Sequence, residues 1–187
     1  MTESSGWLRG VEGVLSGPDL TLTVERLAEW QLSDGMMPWY PGGHADPWNH
    51  VEALMALMLD GRKAEAEAGF AWLERLQHAD GSWHQYYLAG GEVEEAKFDA
   101  NCIAYVAAGL YHHWLLFEDR SFLDANWGML SGAVDFVRGL QTDRGEVFWA
   151  RKPDGTPFEF ALLTGSSSIT HSLRCAVAVA EVLGKER

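Results

Sequence analysis

Three things are scarce in this 187-residue chain, and each scarcity narrows what it can do. Cysteine is the first: Cys102 and Cys175 are the only two, too few for a disulfide framework. Basic side chains are the second. Fourteen Lys and Arg face 27 Asp and Glu, a net charge of −13 that leaves no clustered cations for nucleic acid or an anionic membrane surface. Long apolar runs are the third: none reaches eighteen residues, so no membrane span is expected. Met1 to Trp7 also lack the basic and apolar regions of a secretory signal, and a cytoplasmic protein is the expectation. Nucleotide-loop, serine-elbow and zinc-helix motifs (Gly-x-x-x-x-Gly-Lys, Gly-x-Ser-x-Gly, His-Glu-x-x-His) are missing too.

What is plentiful is apolar and aromatic. Hydrophobic residues make up 47% of the chain and aromatics 12%, with nine Trp, which suits one domain over 1–187 with a sizeable core. Three segments look alike. Arg26 to Gln31 is followed by Asp34-Gly35 and Trp39. Trp72 to Gln77 is followed by Asp80-Gly81 and Trp83. Phe136 to Gln141 is followed by Asp143, Gly145 and Trp149. Each reads as the end of an amphipathic helix, then Gln, a glycine turn and a Trp.

Period-3.6 patterning predicts helices over 20–31, 48–59, 62–76, 103–117, 121–140 and 168–183. Asp46-Pro47 supplies an N-cap and a first-turn proline for the second, and Asp99 opens the fourth. Only Glu146 to Ala150 hints at strand alternation, so the expected fold is all-α. The links 32–45, 77–97 and 141–165 are long and hold the Gly, Pro and Trp residues, whereas those near Gly61 and 118–120 are short. Antiparallel succession puts every long link at one end, which is therefore the expected functional rim.

The Gln, Asp-Gly, Trp pattern, clearest in Leu76 to Trp83, resembles the QW repeat of squalene–hopene cyclases and protein prenyltransferase β subunits. The stretches Pro38 to Glu52 and Thr164 to Arg174 are similar to actinobacterial prenyltransferase-like proteins. The resemblance implies an α/α toroid, with hairpins around a central cavity. Six helices make three hairpins, half of a six-hairpin ring, so a homodimer or a second chain completing the ring is expected.

In such a toroid the inner helices would be 47–59, 99–117 and 168–183, and their first turns meet at the rim. Asp46, His50, Asp99 and His171 are the candidate proton carriers there. Trp39, His44, Trp48, Asn49, Glu52, Asn101, Tyr105, Ser167 and Arg174 are the candidate substrate contacts. The resemblance also implies a possible catalytic zinc, because Asp99, Cys102 and His171 stand where the prenyltransferases hold the metal, although Asp99 and Cys102 have two residues between them where the family has one. Asp46 and Asp99 also read simply as helix caps, Cys102 as packing, and Trp83 and Trp149 as staples of the repeat. His112 and His113 are adjacent on a helix and read as structural.

Neither Asp-x-Asp-Asp nor Asp-Asp-x-x-Asp occurs. The resemblance implies acid–base chemistry on a small apolar or isoprenoid-like substrate. Two alternatives stay open. One is a carbohydrate-active α/α toroid (hydrolase, lyase or isomerase) with Asp and Glu as acid and base and Trp as sugar platforms. The other is a non-catalytic half-ring that binds a partner.

Overall fold

Ser16 opens the first helix. Its hydroxyl accepts from the Asp19 amide while the Asp19 carboxylate accepts from the Ser16 amide, a reciprocal cap, with Pro18 in the first turn. Helix α1 therefore runs Gly17–Trp30 and starts three residues before its apolar pattern does. Asp46 caps α2 (Pro47–Leu59), and the turn at Gly61, with φ of 78°, reverses the chain into α3 (Lys63–Leu76). The computed structural model describes residues 10–186, so the N-terminal stretch read as lacking a signal lies outside the described residues.

The two longest expected helices are each interrupted. The fourth is α4 (Ala100–Ala104) and α5 (Val106–Phe117), joined through Tyr105. The fifth is α6 (Arg120–Ala125) and α7 (Trp127–Arg138), joined through the buried Asn126, whose side-chain amide donates to the Phe122 carbonyl (2.9 Å). The last helix, α8 (Leu163–Leu183), begins five residues before the expected 168 and stops at Gly184. The result is the expected all-α half-toroid. Inner helices α2, α4–α5 and α8 lie side by side, and outer helices α1, α3 and α6–α7 back them.

Four short strands are the element the helical reading left out. β1 (Tyr86–Tyr87) pairs antiparallel with β2 (Val93–Glu95) around a single 3-10 turn at Ala89–Gly91. β3 (Phe98–Asp99) pairs antiparallel with β4 (Ala150–Arg151), register Asp99 to Ala150. An isolated bridge joins Ala45 to Tyr87. The three long links are thereby stitched into one rim, which fixes where α2 and α4 begin. Beneath it Phe70, Trp72, Leu54, Leu57, Met36, Trp83 and Tyr87 are packed out of water, each large side chain contributing roughly 1.5–3 kcal/mol. Among the described residues no helix is long and apolar enough to cross a membrane.

Candidate functional site

The three glycine turns superpose in register once aligned on Gln. The residue after each Gln donates its amide to the carbonyl four positions on: Leu32 to Met36, His78 to Ser82, Thr142 to Glu146. Six residues past the Gln stand Met37, Trp83 and Val147, all buried; eight past it stand Trp39, Gln85 and Trp149. Trp83 is the staple the sequence suggests, its indole donating to the Leu73 carbonyl at 2.7 Å. Trp39 and Trp149 are not its equivalents. They sit two positions further on, beside the carboxylates that open the inner helices.

Asp46 is 1% exposed and accepts three hydrogen bonds: from the Asn49 amide (3.0 Å), the Asn49 side chain (2.8 Å) and the Trp39 indole (2.5 Å). Asp99 caps α4, accepting from the amides of Asn101 (3.0 Å) and Cys102 (3.2 Å), and the Trp149 indole also bonds it. Burial dominates at Asp99 and raises its pKa despite those donors. Both carboxylates act electrostatically on Tyr86 and Cys102, so the two lie around one spot. Lys97 stands 4.3 Å over the Trp149 ring.

Aromatic planes surround this spot. His44 stacks on Tyr86 at 4.2 Å between centroids, and Trp39 meets both rings edge-on. Further along the inner helices Trp48 stacks on Tyr105 at 3.8 Å, and the Tyr105 hydroxyl donates to Glu52 at 3.3 Å. Burial, then Glu52, push the Tyr105 hydroxyl up to about 12. The His44 imidazole also meets Glu94 on β2 through Nδ1 at 2.6 Å. Three buried polar atoms of this cluster have no partner among the described residues: His44 Nε2, Gln85 Oε1 and Asn101 Oδ1. Gln85 bonds the Tyr86 hydroxyl and reaches the Cys102 sulfur at 3.8 Å through its amide nitrogen.

Two sequence expectations are corrected by this geometry. His50 is fully buried, with Nδ1 accepting from the Met37 amide (3.1 Å) and Nε2 donating to the Gly69 carbonyl (3.0 Å), so neither nitrogen is left for proton transfer. It ties the first long link to α2 and α3. The expected metal set does not assemble either: among the described residues no three His, Cys, Asp or Glu side chains are grouped to hold an ion. Burial holds the Cys102 thiol well above its ordinary pKa. His171 lies roughly 7 Å further from the start of its helix than expected, because α8 begins early. It is exposed and pairs with Cys175, 3.6 Å away, instead of joining Asp99. Ser167 and Arg174 are exposed on α8, the Ser167 hydroxyl donating to the Leu163 carbonyl.

Gln85, Glu94 and Lys97 belong to the cluster and were not singled out from sequence, and Trp149, read there as a staple, belongs to it too. For Gln85 a signal existed: counting from Gln77 puts it in the place Trp39 and Trp149 hold in the other turns.

No known family pattern matches this chain. It is 45% identical over 176 residues to the MMP endo-(1,4)-3-O-methyl-alpha-D-mannosidase of Mycolicibacterium hassiacum, a match covering 94% of this chain and 48% of that enzyme. Among solved structures it resembles cellobiose 2-epimerase from Spirochaeta thermophila (TM-score 0.62, 17% identity, 87% of this chain, 47% of that one). It also resembles Cel10, a family 8 endoglucanase from Klebsiella pneumoniae (TM-score 0.56, 12% identity, 69% and 44%). The chain thus spans about half the length of the proteins it matches. These findings overturn the prenyltransferase and squalene-cyclase resemblance and the terpenoid chemistry it implied. The Gln–Gly turn holds outer helices together, a scaffold task indifferent to the reaction, and a sequence similar to this chain along nearly its whole length is that of a mannosidase.

Proposed function

We propose that the rim is a carbohydrate site and that the chain is part of an enzyme cleaving α-linked mannose oligosaccharides, with 3-O-methylated mannosides the first candidates. The observation that carries this reading is the gathering of three partnerless polar atoms, on His44, Gln85 and Asn101, beside two buried carboxylates and several aromatic planes. A sugar presents hydroxyls to the first and C–H faces to the last; an isoprenoid chain would leave the polar atoms unanswered. The similarity to a mannosidase supports the same class.

In this reading Asp99, whose carboxyl burial pushes towards the protonated form, is the general acid at the glycosidic oxygen. Asp46, held as an acceptor by three donors, is its basic partner, and Trp39 and Asn49 fix its orientation. Trp39, Tyr86 and Trp149 serve as platforms. A full ring requires three further hairpins beyond those of this arc.

The test exchanges Asp99→Asn and Asp46→Asn in the assembled protein, with Asn chosen because it caps a helix as well as Asp does. The expected result is a loss of turnover on α-1,4-linked 3-O-methylmannose oligosaccharides of about 10²- to 10⁴-fold for Asp99→Asn, with binding retained by Trp fluorescence. Failure of the unmodified protein to bind any α-mannoside, or full activity in Asp99→Asn, would overturn it. One observation favours a second reading, proton transfer at a sugar carbon: Glu94 holds His44 Nδ1 and leaves Nε2 unpartnered, the arrangement of an imidazole base. Deuterium uptake from solvent into the sugar, abolished by His44→Gln, separates it from hydrolysis.

A further inference from the structure

The three Gln turns are built alike but are not equally occupied. Gln31 donates through Nε2 to the carbonyl of its own turn glycine, Gly35 (3.1 Å), and to Glu65 on the next outer helix, α3 (2.9 Å). Gln77 repeats this, donating to Gly81 (3.0 Å) and to Met129 on α7 (2.9 Å). Gln141 donates to Gly145 (2.9 Å) and, among the described residues, to nothing else. The glycines agree. A Cβ on Gly35 would collide with the Ala68 carbonyl and one on Gly81 with the Gly132 carbonyl, whereas one on Gly145 would meet nothing within 4 Å. Two turns therefore clasp the following outer helix, and the third clasps none among the described residues.

The spacing says what fits there. The acceptor lies twelve residues before its helix's own Gln (Glu65 before Gln77, Met129 before Gln141), and the carbonyl under the glycine lies nine before it (Ala68, Gly132). Counted back from Gln31, the same positions on α1 are Asp19 and Leu22. Helix α1 is an outer helix with no such turn upon it among the described residues, and Leu22 is 57% exposed. Beside the open turn, between α7 and α8, runs an apolar groove of about 490 Å³ lined by Trp127, Leu130, Val134, Leu173, Ala176 and Val177. An outer helix after α8 would lie in it, as the alternation of inner and outer helices requires.

We propose that two copies of this chain close head to tail into one six-hairpin ring. The α1 helix of each sits in the α7–α8 groove of the other, Gln141 donates to the partner's Asp19 carbonyl in place of the Thr23 hydroxyl that bonds it at 2.9 Å, and Gly145 covers the partner's Leu22. The contact rests on the ring fold and not on the sugar chemistry. Three hairpins subtend half of a six-hairpin ring, and two arcs of three supply six. Leu22 is larger than Ala68 or Gly132. The approach is to its backbone carbonyl, and its side chain gives the docking turn an apolar surface to cover.

Sedimentation and native mass spectrometry of the 187-residue chain should give twice its 20.8 kDa mass at micromolar concentration. Leu22→Arg should weaken the dimer by about tenfold or more, as should Gln141→Ala to a smaller degree, both with unchanged helical content. A second readout fixes the geometry. Both native cysteines are buried, so a short bis-maleimide reagent reports introduced ones. Leu22→Cys protein mixed with Gln141→Cys protein should cross-link, and neither should do so alone. A monomer at all concentrations, or cross-linking of Leu22→Cys protein to itself, would overturn the proposal. Sugar binding enters neither measurement, so an inactive dimer would count against the carbohydrate reading alone.

Discussion

Below the rim, His50, Gln77 and the Trp83 indole each bond the backbone of a neighbouring element, while at the rim His44, Gln85 and Asn101 each keep one buried atom without a partner. The contrast is sharpest between the two histidines, six residues apart in sequence. His50 joins the first long link to two helices and has no atom to offer; His44 is held by Glu94 at one nitrogen and is unmatched at the other. Burial of a polar group costs free energy unless its hydrogen bonds are made. Satisfied groups therefore mark what the fold needs. Single unsatisfied atoms also occur inside the helices, at His113 and Ser172, but three gathered beside two carboxylates mark what a ligand must complete. Substitutions on the two sides of this line should differ in sign.

The largest effect on stability is expected at His50. His50→Ala leaves the Met37 amide and the Gly69 carbonyl without partners and opens a cavity against Trp72, which together should cost about 3–5 kcal/mol, read from the urea midpoint. Burial also lowers the His50 pKa to about 4 from 6.5, so the folded state takes up its proton later than the unfolded chain does. Stability from this group is complete above pH 6.5 and is lost as the pH falls towards 4, by about 3 kcal/mol. Burial shifts His78, His112 and His113 in the same direction, while Asp99, raised, acts in the opposite sense. Unfolding measured from pH 7.5 to 4.5 should show this loss, and His50→Ala should flatten much of it. A pH-independent midpoint would remove His50 from the scaffold.

A smaller difference separates the closed turns from the open one. Gln77→Ala breaks a part-buried bond to α7 and should cost about 1–2 kcal/mol in the isolated arc. Gln141→Ala removes a donor whose recorded bond lies within its own exposed turn, and its cost there should be near zero. Equal costs would show that the turns are self-contained and that the second bond is incidental.

How much of this was legible in the sequence follows from the range of the forces involved. The helices were, since Asp46-Pro47, Gly61 and the apolar periodicity act within a turn or two. The half-ring was too, as what the resemblance carried by the Gln, Asp-Gly, Trp repeat implied for three hairpins. The strands were not: β3 meets β4 some fifty residues away through two residues each, too few for a period-2 pattern. The breaks at Tyr105 and Asn126 were hidden because both residues occur readily inside helices. At the site, Asp46 and Asp99 could be placed because a cap must sit at a helix start. His50 was misplaced because its partners, Met37 and Gly69, come from elsewhere in the chain. Glu94 lies on a hairpin that the helical pattern passes over, so its pairing with His44 was invisible.

The smallest expected effect is also the most discriminating, because its sign is unusual. Gln85 is 8% exposed, and its carbonyl oxygen has no partner, so the folded chain bears a desolvation cost that Met, of similar length and volume, would not. Gln85→Met gives up the bonds to Tyr86 and Cys102 but also removes the unsatisfied oxygen. The balance should leave stability unchanged or raise it by up to about 1 kcal/mol. The same change should weaken mannoside binding by roughly tenfold, because the oxygen it deletes is one a sugar hydroxyl would answer. A variant that melts earlier and binds equally well would move Gln85 to the scaffold side. One that melts later and binds worse would show the rim holding free energy in reserve for its ligand.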